Sequence, residues 1–115
     1  MHIVLTGGLG FIGQNLAQHL RRRLPGVTLT AIDWFKGAAE DERAVFDHVL
    51  YDCFASSLAL NRYETADVIV HLAARTTVQE SIETPLDTFV ENVTKTQSVL
   101  EHIRLRSPQA KFIST

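Results

Sequence analysis

The sequence has very little cysteine, no long apolar run and no excess of charge of one sign. Cys53 is the only cysteine among 115 residues, so no disulfide can form within the chain, and a reducing, cytoplasmic setting is favoured. No segment approaches the roughly 20 consecutive apolar residues that a membrane-spanning helix requires. The first apolar segment, 3–5, is too short for the hydrophobic region of a signal peptide. We therefore expect a soluble protein with no membrane partner.

Charge and histidine spacing argue against two further kinds of site. The 11 basic and 13 acidic side chains nearly balance, so the chain has no positive excess of the kind that binds nucleic acid. The five histidines are not spaced with Cys53 as metal ligands are, and no metal is predicted. With 45% apolar residues the chain can bury a core, and we expect one domain over residues 1–115.

Strand-like and helix-like segments alternate along the whole chain. This alternation predicts parallel strands joined by right-handed crossovers, hence an open, doubly wound α/β sheet with helices on both faces. The expected strand order is 3-2-1-4-5, and the sheet is cut off after its fifth strand. Short apolar runs predict strands at 2–6, 27–32, 44–51, 67–72 and 111–114. Helices are predicted at 11–24 and 85–106, a short helix at 56–62, and a loop or short irregular helix at 34–44.

Glycines are concentrated directly behind the first predicted strand, in the stretch GGLGFIG. Gly8, Gly10 and Gly13 fit a GxGxxG spacing, whereas Gly7, Gly10 and Gly13 fit a GxxGxxG spacing. Either arrangement allows a tight turn into a helix whose free N–H groups and positive dipole end can hold a phosphate. No Gly-Lys-Ser/Thr follows, which excludes a P-loop. The pattern therefore predicts a dinucleotide pyrophosphate at this strand–helix junction.

Asp33 stands 20 residues beyond Gly13, at the tip of the second predicted strand. A carboxylate at that place can accept hydrogen bonds from both hydroxyls of an adenosine ribose, and it repels the 2′-phosphate of NADP. NAD is therefore the predicted cofactor. The alternatives are a turn residue at a strand end, a glycine turn without a ligand, or a flavodoxin-like domain that binds no dinucleotide. His71, at the end of another predicted strand, is expected to be a buried core histidine.

Three stretches together resemble the extended short-chain dehydrogenase/reductase family: TGGLGFIG at 6–13, HLAA at 71–74 and SIETPLDTFVENVTKTQSVLE at 81–101. Within that family the chain looks most like the NAD-dependent nucleotide-sugar epimerases and dehydratases, and the resemblance covers essentially the whole chain. The pattern NVTKT at 92–96 departs from the family's NVxGT because Lys95 replaces the glycine. This departure weakens the expectation of close packing at that point.

The resemblance implies cofactor contacts at several places along the chain. The pyrophosphate would contact Gly7, Gly10, Phe11, Ile12 and Gly13, and the adenosine ribose would contact Asp33 and Trp34. The adenine ring would contact Asp52 and Cys53. The nicotinamide half would contact Leu72, Ala73, Ala74 and Thr76. Asn92 would lie close to the cofactor and brace the neighbouring strands.

The resemblance also implies a catalytic Ser or Thr at the end of the fifth strand and a Tyr-x-x-x-Lys on the next helix. Thr115, or else Ser114, stands near the first of these positions, and neither Tyr51 nor Tyr63 is followed by lysine four residues later. We therefore expect the N-terminal part of a longer epimerase or dehydratase, an oxidoreductase-type enzyme. This part would bind NAD, and the nucleotide-sugar substrate would bind only to the full-length enzyme.

Two further expectations concern partners. A non-catalytic NAD-binding module that regulates another protein remains an alternative to the enzyme. The family's dimers use the helix that matches 85–106, and an unpaired sheet edge also favours self-association. A homodimer through this helix is therefore expected.

Overall fold

The computed structural model describes residues 1–34, 37–51 and 66–115. Its centre is a parallel five-stranded sheet in the order β3-β2-β1-β4-β5, which confirms the predicted order. The strands are β1 (His2–Thr6), β2 (Thr28–Asp33), β3 (His48–Tyr51), β4 (Val68–His71) and β5 (Lys111–Ser114). The helices in the described residues are α1 (Phe11–Arg23), α2 (Glu40–Ala44), α3 (Val78–Glu83), α4 (Pro85–Phe89) and α5 (Lys95–Arg106), with a π-helical turn (Val90–Thr94) between α4 and α5.

The central strand β1 is buried on both faces, which explains why its apolar residues are consecutive rather than alternating. Ile3 and Leu5 belong to a core cluster that includes Ala17 of α1, whereas Val4 belongs to a second cluster that includes Val99 of α5. α1 therefore covers one face of the sheet and α5 the other. Burial of a leucine such as Leu5 stabilises the fold by about 1.5–3 kcal/mol.

The end of α1 is tied to the next strands by one side chain. Arg21 donates through Nε to the carbonyl oxygen of Val45 at 2.9 Å and through Nη1 to that of Val27 at 2.6 Å. Its Nη2 lies 2.6 Å from Oδ2 of Asp47, and the same oxygen accepts the backbone N–H of Leu29 at 2.8 Å. Burial raises the pKa of Asp47, but these hydrogen bonds and the guanidinium charge outweigh it and leave the pKa lowered.

Three predicted strands have wrong bounds: the second, the third and the fourth, the last of which runs over Val68–His71 rather than 67–72. The third strand begins at His48 rather than at 44, because Ala44 is the last residue of α2 and residues 45–47 connect that helix to the strand. Acidic residues in the first turn of α2 are favourable beside the positive end of the helix dipole, and Glu42 accepts the backbone N–H of Ala39 at 2.8 Å. The second strand is shifted by one residue, so that Asp33 is its last paired residue.

The prediction for the second half of the chain missed two features. α3 was not predicted, because its apolar residues Val78 and Ile82 are exposed and leave no buried stripe to recognise. The predicted helix 85–106 is present but contains the π-helical turn, in which the N–H of Lys95 bonds to the carbonyl oxygen of Val90. The predicted helix at 56–62 lies outside the described residues. No helix within the described ranges is long and apolar enough to cross a membrane.

Candidate functional site

A cleft of about 900 Å³ opens at the carboxyl ends of β1, β2 and β4. This is where the strand order reverses, since β1 is followed in the chain by β2 on one side and is paired with β4 on the other. Open parallel sheets bind ligands in the crevice at such a point. The cleft is lined by Gly7, Leu9, Gly10, Phe11, Ile12, Gly13, Asp33, Trp34, Leu72, Ala73, Ala74, Arg75, Thr76, Thr77, Glu80, Glu91 and Lys95.

The turn after β1 requires glycine at its first residue. Gly7 has φ +68°, a conformation that side chains disfavour, and its N–H donates to the carbonyl oxygen of Ile32 at 2.8 Å. A Cβ on Gly7 would lie 2.9 Å from the backbone nitrogen of Ala73. The turn therefore passes directly against the segment that follows β4.

Close packing of α1 on this turn depends on Gly13. A Cβ there would collide with the carbonyl oxygen of Gly8 and lie 2.7 Å from its Cα. A Cβ on Gly10, by contrast, would meet only the carbonyl oxygen of Gly7, at 3.3 Å. Both residues line the cleft, but only Gly13 is required for the contact between helix and turn.

The N-terminus of α1 faces the cleft without a side-chain cap from the described residues. Gly10 is the N-cap residue, and the first backbone hydrogen bond of the helix runs from Gln14 to it. Phe11 and Ile12 are largely exposed, Phe11 to 85%, and the first turn carries no acidic residue. Backbone N–H groups and the positive end of the helix dipole are therefore presented to the cleft, an arrangement that binds phosphate.

Asp33 closes the cleft on the β2 side. Its side chain is only 6% exposed, and its Oδ2 accepts the backbone N–H of Leu9 at 3.0 Å. The carboxylate is thus held at the glycine turn. Trp34, the next residue, is exposed at the cleft margin.

The opposite wall is the segment after β4, and Asn92 holds it in place. Oδ1 of Asn92 accepts the N–H of Arg75 at 2.7 Å, and its Nδ2 donates to the carbonyl oxygen of Arg75 at 3.0 Å. Asn92 itself does not line the cleft. It lies in the π-helical turn and connects that turn to the cleft wall.

His71 lies behind this wall, with both ring nitrogens hydrogen-bonded. Nδ1 is 2.6 Å from Oγ1 of Thr6, and Nε2 is 2.8 Å from Oγ1 of Thr96. The side chain is 4% exposed, and burial lowers the pKa of the imidazole. The interpretation of His71 as a core histidine is confirmed.

Several charged residues of the cleft were missed by the sequence analysis, among them Arg75, Glu80 and the pair Glu91–Lys95. Nζ of Lys95 lies 2.5 Å from the carboxylate of Glu91, and the lysine side chain is only 13% exposed. The four-residue spacing of opposite charges on a helix was the signal available in the sequence. Lys95, which replaces a glycine of the family pattern, therefore places its side chain in the cleft wall.

Most of the predicted site residues lie together in the cleft. Gly7, Gly10, Phe11, Ile12, Gly13, Asp33, Trp34, Leu72, Ala73, Ala74 and Thr76 all line the one cleft. Asp52 and Cys53 lie outside the described residues. Thr115 is exposed directly after β5 and does not line the cleft. The His, Cys, Asp and Glu side chains of the described ranges form no group of three or more that could hold a metal ion.

Known proteins of one family match this chain over nearly its whole length. The model of the NAD dependent epimerase/dehydratase family matches residues 3–115. A dTDP-glucose 4,6-dehydratase of Mycolicibacterium smegmatis is 28% identical over 120 residues, covering 100% of this chain and 36% of that protein. A UDP-glucose 4-epimerase of Mycoplasma pneumoniae is 30% identical over 118 residues, covering 98% of this chain and 35% of that protein.

Solved structures give the same relationship. The crystal structure of UDP-glucose 4-epimerase from Brucella ovis in complex with NAD has a TM-score of 0.84 and 27% identity, covering 98% of this chain and 34% of that one. The chain thus spans about a third of the length of the relatives it matches. Because the family model matches almost every residue, and the glycine turn, Asp33 and the segment after β4 meet at one cleft, this chain belongs to the NAD-dependent epimerase/dehydratase family.

Proposed function

We propose that this chain binds NAD as the cofactor-binding portion of a nucleotide-sugar epimerase or dehydratase. The observation that carries the proposal is the uncapped N-terminus of α1, which faces the same cleft as the carboxylate of Asp33. The backbone at Gly7, Gly10 and Gly13 lines the cleft without side chains, which is what close approach of a pyrophosphate requires. A relative of similar fold, the epimerase from Brucella ovis, is described in complex with NAD.

Different residues of the cleft would contact the adenosine half, the pyrophosphate and the nicotinamide half of the proposed cofactor. The N–H groups at the start of α1, around Gly10–Gly13, would hold the pyrophosphate. Asp33 would accept the ribose hydroxyls of the adenosine half, with Trp34 beside it. The nicotinamide half would lie against Leu72, Ala73 and Ala74, with Thr76 at its end. NAD would supply hydride transfer there.

Substrate turnover requires more than this cleft. Neither tyrosine of the sequence, Tyr51 or Tyr63, is followed by lysine at the spacing used by the family. Thr115 is the proposed Ser/Thr of the catalytic set. We therefore propose that the chain binds the cofactor without converting a nucleotide sugar by itself, and that the substrate belongs to the full-length enzyme. A cytoplasmic location is part of the same proposal, because a single cysteine suits a reducing compartment.

A homodimer is the proposed assembly. Apolar side chains are exposed along α4 and the π-helical turn and continue into α5: Leu86, Phe89, Val90, Val93 and Leu100. An apolar stripe of this kind on the surface of a helix marks an interaction site. A second copy of the same helix would cover it.

Titration calorimetry with NAD and with NADP tests the cofactor proposal. We expect the wild-type chain to bind NAD more tightly than NADP. Asp33→Ala should weaken NAD binding by about tenfold or more, because hydrogen bonds to a charged acceptor are lost. Asp87→Ala removes the same charge from an exposed position on α4 and should leave NAD binding unchanged. Absence of binding at millimolar NAD, or equal binding by Asp33→Ala and wild type, would contradict the proposal.

A further inference from the structure

Three side chains form a continuous hydrogen-bonded chain behind the cleft wall. Thr6 ends β1, His71 ends β4, and Thr96 lies in the first turn of α5. His71 bridges the two hydroxyl groups, and its ring also stacks on Phe112 of β5 with 6.1 Å between ring centroids. The imidazole is therefore held by three elements besides its own strand.

The direction of each hydrogen bond follows from donor and acceptor counting. The hydroxyl of Thr96 lies 2.6 Å from the carbonyl oxygen of Asn92, which can only accept, so the single hydroxyl hydrogen points there. Oγ1 of Thr96 must then accept from His71, which places the proton on Nε2. Nδ1 of a neutral imidazole is consequently an acceptor, and it receives the hydroxyl hydrogen of Thr6. Oγ1 of Thr6 in turn accepts the backbone N–H of Ala73 at 3.3 Å.

All the bonds of the chain therefore run in one sense, from Ala73 through Thr6, His71 and Thr96 to Asn92. Both ends reach the cleft wall. Ala73 lines the cleft directly, and Asn92 holds Arg75 through the two backbone hydrogen bonds described above. An imidazolium does not fit, because Nδ1 would become a donor and the hydroxyl hydrogen of Thr6 would lose its acceptor. Burial lowers the pKa of His71 in agreement with a neutral ring.

The chain also reaches the one irregular point in the long helix. In the π-helical turn the N–H of Lys95 bonds five residues back, to Val90, so the regular four-residue pattern is broken there. The hydroxyl of Thr96 supplies a bond to the carbonyl oxygen of Asn92 at this place. This contact connects Asn92, and through it Arg75, to the hydrogen-bonded chain.

We propose that neutral His71, with its proton on Nε2, is a positioning residue that fixes the segment after β4 in the geometry required by the cofactor. His71 does not line the cleft, and it acts through Thr96 and Asn92 on one side and through Thr6 on the other. The proposal rests on the proposed binding of NAD and adds the residues that set the wall of the nicotinamide half.

The first test reads the tautomer without any cofactor. Long-range ¹H–¹⁵N spectra of the imidazoles of the full chain at pH 7 should show His71 with its proton on Nε2, and the His71→Gln variant assigns the signal by its loss. A proton on Nδ1, or a protonated ring, would overturn the direction of the chain and the proposal with it.

The second test separates positioning from stability. Thr96→Val removes the hydroxyl at nearly constant shape and should weaken NAD binding about fivefold in calorimetry below the unfolding temperature, whereas Thr96→Ser keeps the hydroxyl and should bind like wild type. Thr94→Val makes the same change at an exposed position of the π-helical turn and serves as the matched control.

Substitution of His71 by glutamine or by asparagine gives a second comparison, because the glutamine amide can replace Nε2 and the asparagine amide can replace Nδ1. His71→Gln keeps a donor towards Thr96 and should retain more NAD affinity than His71→Asn, which keeps only an acceptor towards Thr6. Unchanged affinity in Thr96→Val together with equal affinities of the two His71 variants would overturn the positioning role alone. Failure of the wild-type chain to bind NAD would instead overturn the proposed function, and the positioning role with it.

Discussion

The carboxylate of Asp33 accepts a hydrogen bond from the backbone N–H of Leu9, with 3.0 Å between Oδ2 and the nitrogen. This bond ties the tip of β2 to the glycine turn that follows β1. The same acid that is proposed to accept the ribose hydroxyls therefore also shapes the turn at which the pyrophosphate would bind. Removal of its charge should change the preference for NAD over NADP, whereas removal of its oxygen atoms should also lower the free energy of unfolding.

The Asp33→Asn variant makes this distinction. Its amide oxygen can still accept the N–H of Leu9, so we expect its free energy of unfolding to stay within about 1 kcal/mol of wild type. The preference for NAD over NADP should be largely lost, because no negative charge then repels the 2′-phosphate. Asp33→Ala should lose both stability and preference. Denaturant unfolding and paired titrations measure the two effects, and an Asn variant as unstable as the Ala variant would contradict the separation.

Gly13→Ala should destabilise the fold by about 1–3 kcal/mol, because the new Cβ overlaps the backbone of Gly8 and forces α1 away from the turn. Gly10→Ala is the matched control within the same motif, since its Cβ would meet only one atom, at 3.3 Å. Thermal unfolding of both variants measures the difference. Equal melting temperatures would show that α1 does not depend on this contact.

Arg21→Ala should lower the free energy of unfolding by about 1–3 kcal/mol, because two backbone carbonyl groups and the carboxylate of Asp47 lose their charged donor. Arg21→Lys should recover little, since an ammonium group cannot reach three acceptors in this fork geometry. Arg22→Ala removes the same charge from the exposed side of the same turn and should change the unfolding free energy by less than about 0.5 kcal/mol. Urea unfolding distinguishes them, and an Arg22 variant as unstable as the Arg21 variant would contradict the assignment.

Stability should fall as the pH is lowered below about 6.5, the ordinary pKa of histidine. The pKa values of His71 and His2 are both lowered in the folded chain, the first by burial and the second by burial together with repulsion from His48. The unfolded chain therefore binds protons at a higher pH than the folded chain, which favours unfolding, by at most about 1.4 kcal/mol per pH unit for each histidine.

Unfolding free energies measured between pH 7.5 and pH 5 check this dependence. His71→Gln should show a shallower decline than wild type, because one of the two groups is gone. A His71→Gln curve parallel to wild type would mean that His71 titrates equally in both states.

The apolar stripe of α4 and the π-helical turn predicts dimers in solution. Phe89→Glu should shift the mass measured by light scattering towards the monomer, because it places a charge in the centre of the proposed contact. Leu105→Glu alters an exposed apolar residue elsewhere on the long helix and should leave the mass unchanged. A wild-type chain that is monomeric at high concentration would rule the contact out.

Most of the sheet could be predicted from the sequence, because parallel strands with short apolar runs carry strong local signals. The bounds of β1 and β5 and the strand order agree with the prediction. α3 and the start of β3 were missed, since α3 buries no stripe and α2 is a five-residue helix without apolar periodicity. The π-helical turn leaves the helical spacing of apolar residues nearly intact, so the pattern contains little trace of it.

The site was predictable in part for a similar reason. Glycines and Asp33 belong to a pattern with fixed spacing, and they meet in one cleft. The bond from Leu9 to Asp33 depends on the turn geometry, which residue types alone do not determine. The contact of His71 with Thr6 joins residues 65 positions apart in the sequence, which the register of β1 and β4 brings together. Its contact with Thr96, 25 positions away, depends on the packing of α5 against the sheet.

α1 is fastened at both ends, by the contact of Gly13 with Gly8 at its beginning and by the three-acceptor contact of Arg21 at its end. A helix held in this way cannot readily tilt or slide, so it is already ordered before an anion binds. Little binding energy would then be lost in ordering the helix, and the rate of capture would be governed by diffusion into the crevice rather than by rearrangement of the polypeptide.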